Sequence, residues 1–176
     1  MASDPVQAIL ADPRFKGSPL TWEVDDAEYD RIRYAWLTHV SAEEKLFEPY
    51  SEDEWRTQMT TMLSVFTDDC AMELAWLGQR WTGHDGADQF YREFIPAFAN
   101  MAWVPQALVI GPQGVLDVVN MTGTVVRDFA GLKAGPEQLH LQWVIFFPWA
   151  PDQQKFRGEK VFSIRSLAQS EQSGNS

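Results

Sequence analysis

The sequence is short of the residue types on which most recognisable site chemistries depend. It has one cysteine, Cys70, which excludes an internal disulfide framework and a paired-cysteine metal site and fits a reducing compartment. In a strand-like setting that thiol reads as a small buried hydrophobe. The three histidines, His39, His84 and His140, are scattered with no His-x-His or His-x-x-x-His pair, so no metal site is expected. Basic residues are few: 14 Lys and Arg against 25 Asp and Glu leave a net charge of -11 and no basic stripe. A phosphate backbone would be repelled, and nucleic acid is excluded as an expected partner. There is no glycine-rich phosphate loop and no Gly-x-Ser-x-Gly elbow. No apolar run is long enough to span a bilayer, and the start, Met1-Ala2-Ser3-Asp4-Pro5, lacks the cationic and apolar regions of a secretory signal. The expectation is a soluble, cytoplasmic protein with no membrane partner.

Aromatic residues, by contrast, are plentiful. Hydrophobic residues make up 45% of the 176 and aromatics 13%, with 8 Trp and 11 Phe. One ordinary domain with a substantial core is expected, together with an aromatic-lined cavity or a greasy subunit interface.

Residues 1–24 carry Pro5, Pro13, Gly17 and Pro19 between isolated apolar positions and read as an irregular arm. From Asp25 to Val40, the apolar residues Tyr29, Ile32, Trp36 and Val40 recur at helical spacing behind two N-terminal aspartates. Ser51-x-x-Glu54 is a capping box opening a second helix, with Trp55, Met59, Met62 and Phe66 as its buried stripe. After an acidic turn at Thr67-Asp68-Asp69 a short strand is expected over 70–75. The Gly83-His84-Asp85-Gly86 corner reads as a turn feeding a third helix, which buries Phe90, Phe94 and Phe98 and bends or ends at Pro96. Beyond Met101 the period changes to two. Strands are expected over 115–126, 139–147 and 159–165, with another near Leu108. Residues 25–168 thus form the domain, and the polar 169–176 a disordered tail. Helices first and an antiparallel meander afterwards is an α+β order.

In the strand over 139–147, His140, Gln142, Val144 and Phe146 point one way and Leu141, Trp143, Ile145 and Phe147 the other. Both faces are largely apolar, although a half-exposed antiparallel strand normally alternates with polar residues. One face can cover a cavity; the other calls for a second cover, most simply another copy of the chain, hence a homodimer.

Thr67-Asp68-Asp69, Gly83-His84-Asp85-Gly86 and Phe90-Tyr91-Arg92-Glu93-Phe94, in that order, resemble the SnoaL-like branch of the nuclear-transport-factor-2-like superfamily. That resemblance implies a cone-shaped fold with three N-terminal helices packed on a curved, mostly antiparallel sheet around one deep apolar pocket. It also implies a dimer. Gly135-Pro136-Glu137-Gln138-Leu139-His140-Leu141 resembles the strand that carries the pocket histidine of SnoaL-type polyketide cyclases, with His140 in its place. Their catalytic aspartate corresponds to about Val161, not an acid, and Glu159 lies two residues earlier on the same face. Against ketosteroid isomerase the two acids fall at about Leu74 and Val144. Glu73, beside the first, points opposite to Met72 and Leu74 in a regular strand.

The residues themselves offer polar groups where the pattern demands apolar ones. His140 and Glu159, on strands adjacent in the cone fold, are expected to meet at the pocket wall and exchange a proton near neutral pH. A structural His–Glu hydrogen bond is the other reading. His39, three residues after Trp36 at the edge of the first helix's buried stripe, is a third catalytic candidate; its alternative is a solvent-facing histidine. Trp36, Phe66, Met72, Trp76, Trp81, Phe94, Gln142 and Phe146 are the candidate ligand contacts. The expectation is a cofactor-free acid–base enzyme, a cyclase, dehydratase or isomerase, acting on a hydrophobic carbonyl-bearing ring compound. The alternatives are a non-catalytic binding module for an apolar small molecule, or a structural domain filled by its own aromatics.

Overall fold

The computed structural model describes residues 25–47 and 50–166; the expected arm and tail lie outside them. Helix α1 (Asp26–Glu44) starts where Asp25 accepts a hydrogen bond from the Glu28 amide. Helix α2 (Glu52–Leu63) starts at the complete Ser51/Glu54 capping box. Such caps contribute about 1 kcal/mol each, because they satisfy amides that have no partner within the helix. Helix α3 (Gly83–Phe94) runs into a 3-10 turn, Ile95–Ala97, at Pro96.

Six strands follow or intervene: β1 (Phe66–Leu74), β2 (Gln79–Thr82), β3 (Phe98–Gly111), β4 (Gly114–Val125), β5 (Gln138–Ala150) and β6 (Lys155–Ser166). They form one sheet in the order β2-β1-β6-β5-β4-β3. Every neighbouring pair is antiparallel except β1 and β6, which run parallel. The sheet is open, mixed and mostly antiparallel, with the three helices packed against it, as expected.

Two local expectations are corrected. Thr67-Asp68-Asp69 is not a turn but part of β1, where the pairing with β6 slips between Phe66 and Ala71. The irregularity lets the acidic side chains stay exposed inside a strand. Phe66 accordingly belongs to β1 and not to α2. Helix α1, moreover, buries Ile32, Ala35, His39 and Ala42, whereas Tyr29 is 41% exposed. Two alanines on the buried face allow the helix to lie close to the sheet, and this rotation carries His39 from the edge of the stripe to its centre.

One face of the sheet is the core. Val115, Asp117, Val119 and Met121 of β4 and Leu141, Trp143 and Phe147 of β5 are buried on it. Phe94 of α3 meets Phe98, Trp103, Phe129 and Trp143 with ring centroids 5.4 to 6.3 Å apart. These contacts seal one end of the helix–sheet layer. Polar groups are concentrated at the other end.

Candidate active site

His39 enters the core from the middle of α1 and is completely buried. Its ring stacks on Phe66 at 5.0 Å and meets the edge of Phe147 at 5.2 Å. Nε2 stands 2.9 Å from Oε1 of Glu159 and 3.7 Å from Oε2 of Glu43, one turn further along α1. The contact with Glu159 is a close approach lying off the ring's N–H direction, and Nδ1 has no hydrogen-bond partner among the described residues. The hydroxyl of the buried Tyr91, on α3, donates a short hydrogen bond to the same Oε1.

Glu159 is 6% exposed, and its position depends on its neighbour. Gly158 pairs with Ala71 across the parallel β1/β6 junction at φ +108°, and a Cβ there would sit 2.1 Å from the Ala71 carbonyl oxygen. Only glycine lets the two backbones approach in this way. Glu159 then lies opposite Met72 and turns inward. Asp117, on β4, replaces an apolar residue in an otherwise apolar inward series and is 9% exposed, with Oδ1 lacking a hydrogen-bond partner among the described residues.

Glu159, Asp117 and Glu43 line one cavity of about 100 Å³. Its walls include Trp36, Phe47, Trp103 and Phe147. A larger depression of about 570 Å³ lies between α1 and α2, lined by residues such as Ser41, Lys45, Tyr50 and Gln58. It is open to solvent, and Glu159, Asp117 and Glu43 do not line it. The smaller cavity is therefore the candidate site.

Burial disfavours a charged His39, but the adjacent Glu159 carboxylate, with Glu43 and Asp117 beyond it, outweighs that and raises the imidazole above its ordinary 6.5. Glu43 is pushed up to about 8, first by burial and then by repulsion from Glu159 and Asp117, with His39 opposing. Asp117 rises to about 6, chiefly through burial and secondarily through Glu159. Burial, and then the Glu159 and Glu43 charges, hold the Tyr91 phenol well above 10. At neutral pH the cluster thus holds a largely neutral acid at Glu43 and a mostly ionised one at Asp117, beside an imidazole whose protonated form Glu159 favours. Cys70 rises to about 11 through burial, which leaves an unreactive thiol. Among the described residues no group of three or more His, Cys, Asp or Glu side chains is arranged to hold a metal ion.

The expected pairing of His140 with Glu159 is not formed. His140 pairs with Thr122 on β4 and lies on the face opposite to the buried Leu141 and Trp143. Glu159, by contrast, comes between Lys160, which pairs with Phe146, and Phe156, which pairs with Trp149. At ~3.3 Å per residue the two lie about 20 Å apart along the sheet. Gln142 and Phe146 share the outer face with His140, and Gln142 donates to Asn120 there at 3.2 Å. Trp76 is exposed in the turn between β1 and β2. Trp81 lines a separate hollow with Gln79, Arg127 and Phe129. Phe94 belongs to the aromatic seal and Met72 to the core beside Glu159. Phe66 supports the His39 ring, and Trp36 lines the cavity. Glu73 faces outward, where Lys160 lies 3.1 Å and Arg80 3.5 Å away.

The model of the SnoaL-like domain family matches residues 47–162. The chain belongs to the SnoaL-like domain family. The matched span contains Tyr91, Asp117 and Glu159, whereas His39 and Glu43 precede it. No curated protein matches. Among solved structures, a protein assigned to the SnoaL-like polyketide cyclases from Jannaschia sp. CCS1 superposes with a TM-score of 0.61 at 14% identity, over 80% of this chain and 90% of that one. A protein assigned as a polyketide cyclase from Xanthomonas campestris pv. campestris gives 0.55 at 16% identity, over 77% and 92%. An NTF2-like protein of unknown function from Burkholderia pseudomallei K96243 gives 0.55 at 13% identity, over 75% and 89%. At such identities these likenesses establish the nuclear-transport-factor-2-like fold of this SnoaL-like domain and nothing finer.

Three members of the cluster were missed from sequence. Asp117 carried a readable signal, a carboxylate in the alternating apolar series Val115, Val119 and Met121. Glu43 carried a weaker one, four residues after His39. Tyr91 carried none, because its partner lies far away in the chain.

Proposed function

We propose that this SnoaL-like protein is a cofactor-free acid–base enzyme acting on a small hydrophobic carbonyl-bearing ring compound, with Glu159 as the proton-transferring base. The observation that carries the reading is the clamping of one carboxylate oxygen. Both Tyr91 and His39 approach Oε1, and Oε2 has no hydrogen-bond partner among the described residues, on a residue that lines the cavity. A carboxylate held in one orientation in a mostly apolar cavity is ready to remove a proton from carbon next to a carbonyl. Glu43, largely protonated at pH 7, supplies the complementary donor to the developing enolate oxygen. His39 and Tyr91 act through Glu159 and are positioning residues. Return of the proton elsewhere on the ring would give isomerisation, loss of hydroxide dehydration, and attack on a second carbonyl cyclisation.

Hydrogen–deuterium exchange at the carbon next to the carbonyl of cyclohexanone, followed by NMR in heavy water, tests the base without the natural substrate. Wild type should accelerate exchange over buffer, and Glu159→Gln should lose at least about a hundredfold of that rate. Equal exchange by the two proteins sinks the assignment. No acceleration by wild type favours a binding module.

The outer face of β4 and β5 supports a homodimer. Val118 pairs with Val144, and Leu116 with Phe146, on the face turned away from the helices. A second copy covering these residues would remove them from water.

A further inference from the structure

The cavity is unusual in the sign of its charge. Among the described residues its lining contains the carboxylates of Glu44, Asp117 and Glu159, the largely protonated Glu43, and no lysine or arginine. The ring of His39 is engaged by Glu159, behind the wall. Asp117 remains: a carboxylate on the buried face of β4, facing the cavity, with no ion-pair partner among the described residues and with Oδ1 unsatisfied. A buried carboxylate without a counter-charge is costly to hold, and groups of this kind are matched by what binds them. Around it stand Trp36, Phe47, Trp103 and Phe147, whose ring faces attract cations. Carboxylate and aromatic walls around a space of about 100 Å³ suit a small ammonium group better than a neutral or anionic one.

We propose that the ligand of this cavity carries a cationic nitrogen, protonated or quaternary, which is received by Asp117 and the surrounding aromatic walls. The inference rests on the reading of this cavity as the ligand site, and not on the reaction assigned to Glu159. A hydroxyl donor would satisfy one oxygen of Asp117 but leave the excess negative charge of the lining in place. A ligand carboxylate would add to that charge.

The groups that act on Asp117 or share its cavity are His39, Glu43 and Glu44 of α1 and Glu159 of β6. Burial and then Glu159 raise Asp117 to about 6, so its charge changes just below neutrality. Cation binding should therefore weaken as pH falls through about 6 and should release protons at that pH.

The test uses choline and its uncharged carbon isostere 3,3-dimethylbutan-1-ol, titrated by calorimetry or ligand-observed NMR. Choline should bind at least tenfold more tightly at pH 7.5, and the preference should shrink toward unity at pH 5. Asp117→Asn, checked for folding by its thermal transition, should abolish the preference while retaining the isostere's affinity. Equal affinities, preference for the alcohol, or no binding of either by wild type overturns the proposal, and none of these requires the variant to fold. Failure of the exchange reaction at Glu159 would leave these affinities unchanged, so the two readings fail separately.

Discussion

His39 Nε2 stands 2.9 Å from Glu159 Oε1, tying the middle of the first helix to the last strand inside a sleeve of aromatic rings. Breaking such a buried pair from one side leaves the other charge without compensation, at a cost of about 3–5 kcal/mol. His39→Gln should lose stability of that order in urea unfolding at pH 6, while His39→Gln/Glu159→Gln should recover much of it. The pH dependence has a definite sign. The folded imidazole's pKa lies above the ordinary 6.5, so its contribution is complete below that value and is lost as pH rises through the higher folded value. A gap between wild type and His39→Gln that widens from pH 6 to pH 9 would contradict this.

Glu43 behaves in the opposite sense. Its folded pKa of about 8 exceeds the ordinary 4.5, so the unfolded chain loses this proton first as pH rises. Between those values the folded state must keep an acid protonated or bury its charge, and stability falls. Glu43→Gln should therefore match wild type at pH 4 and exceed it in melting temperature at pH 8. Loss of stability at pH 8 in the variant would show that the carboxylate's attraction to His39 outweighs its burial.

Tyr91→Phe keeps the ring and removes one charge-assisted hydrogen bond to Oε1 of Glu159. Removal should cost about 1.5–3 kcal/mol of stability and lower turnover through misplacement of the base. Because the phenol stays protonated well above 10, the hydrogen bond supplies no titration of its own in the working range. The pH–rate profile of Tyr91→Phe should keep the phenol's absence silent above pH 8. An alkaline limb present in wild type and missing in the variant would assign Tyr91 a direct proton-transfer role.

The helix–sheet order was legible because its signals are local. The Ser51/Glu54 box, the breakers around Gly111, Gly135 and Pro148, and the change of period after Met101 each act over a few residues. Which face of β5 turns inward was not legible. Leu141, Trp143 and Phe147 alternate with Val144 and Phe146, so hydrophobicity scarcely distinguishes the faces, and a choice of the wrong one moves every side chain to the other side. That choice placed His140, Gln142 and Phe146 in the cavity. His39 is a site candidate from sequence, but Tyr29 and Trp36 suggest a stripe on α1 with it at the edge, whereas the small residues Ala35 and Ala42 mark the surface that approaches the sheet.

Gly158, next to Glu159, is expected to tolerate no side chain. A Cβ at this position would lie 2.1 Å from the Ala71 carbonyl oxygen and 2.5 Å from its amide nitrogen, both backbone atoms. The positive φ of +108° adds strain of about 1–3 kcal/mol for any other residue. Gly158→Ala should lower the melting temperature and, because Glu159 is the next residue, reduce the exchange activity beyond what the stability loss explains. Gly78, where a Cβ would meet nothing within 4 Å, is the control for positive φ alone. Comparable losses at both positions would mean that strain, and not the β1/β6 approach, is what matters.

The outer face of the sheet gives the last prediction. Val118 and Val144 are direct partners across β4 and β5, turned away from the cavity that Asp117 and Ile145 line on the other side. A charge placed there is tolerated by water but not by a desolvated interface, where an unpaired ion is costly. Val144→Glu should therefore dissociate a dimer without disturbing the cavity, since adjacent residues of a strand point to opposite faces. Sedimentation of wild type should show a dimer at micromolar concentration and the variant a monomer, with choline affinity retained. A wild-type monomer under those conditions would remove the homodimer proposal. A variant that stays dimeric would place the interface elsewhere, most plainly on the exposed Val104, Leu108 and Val109 of the edge strand β3.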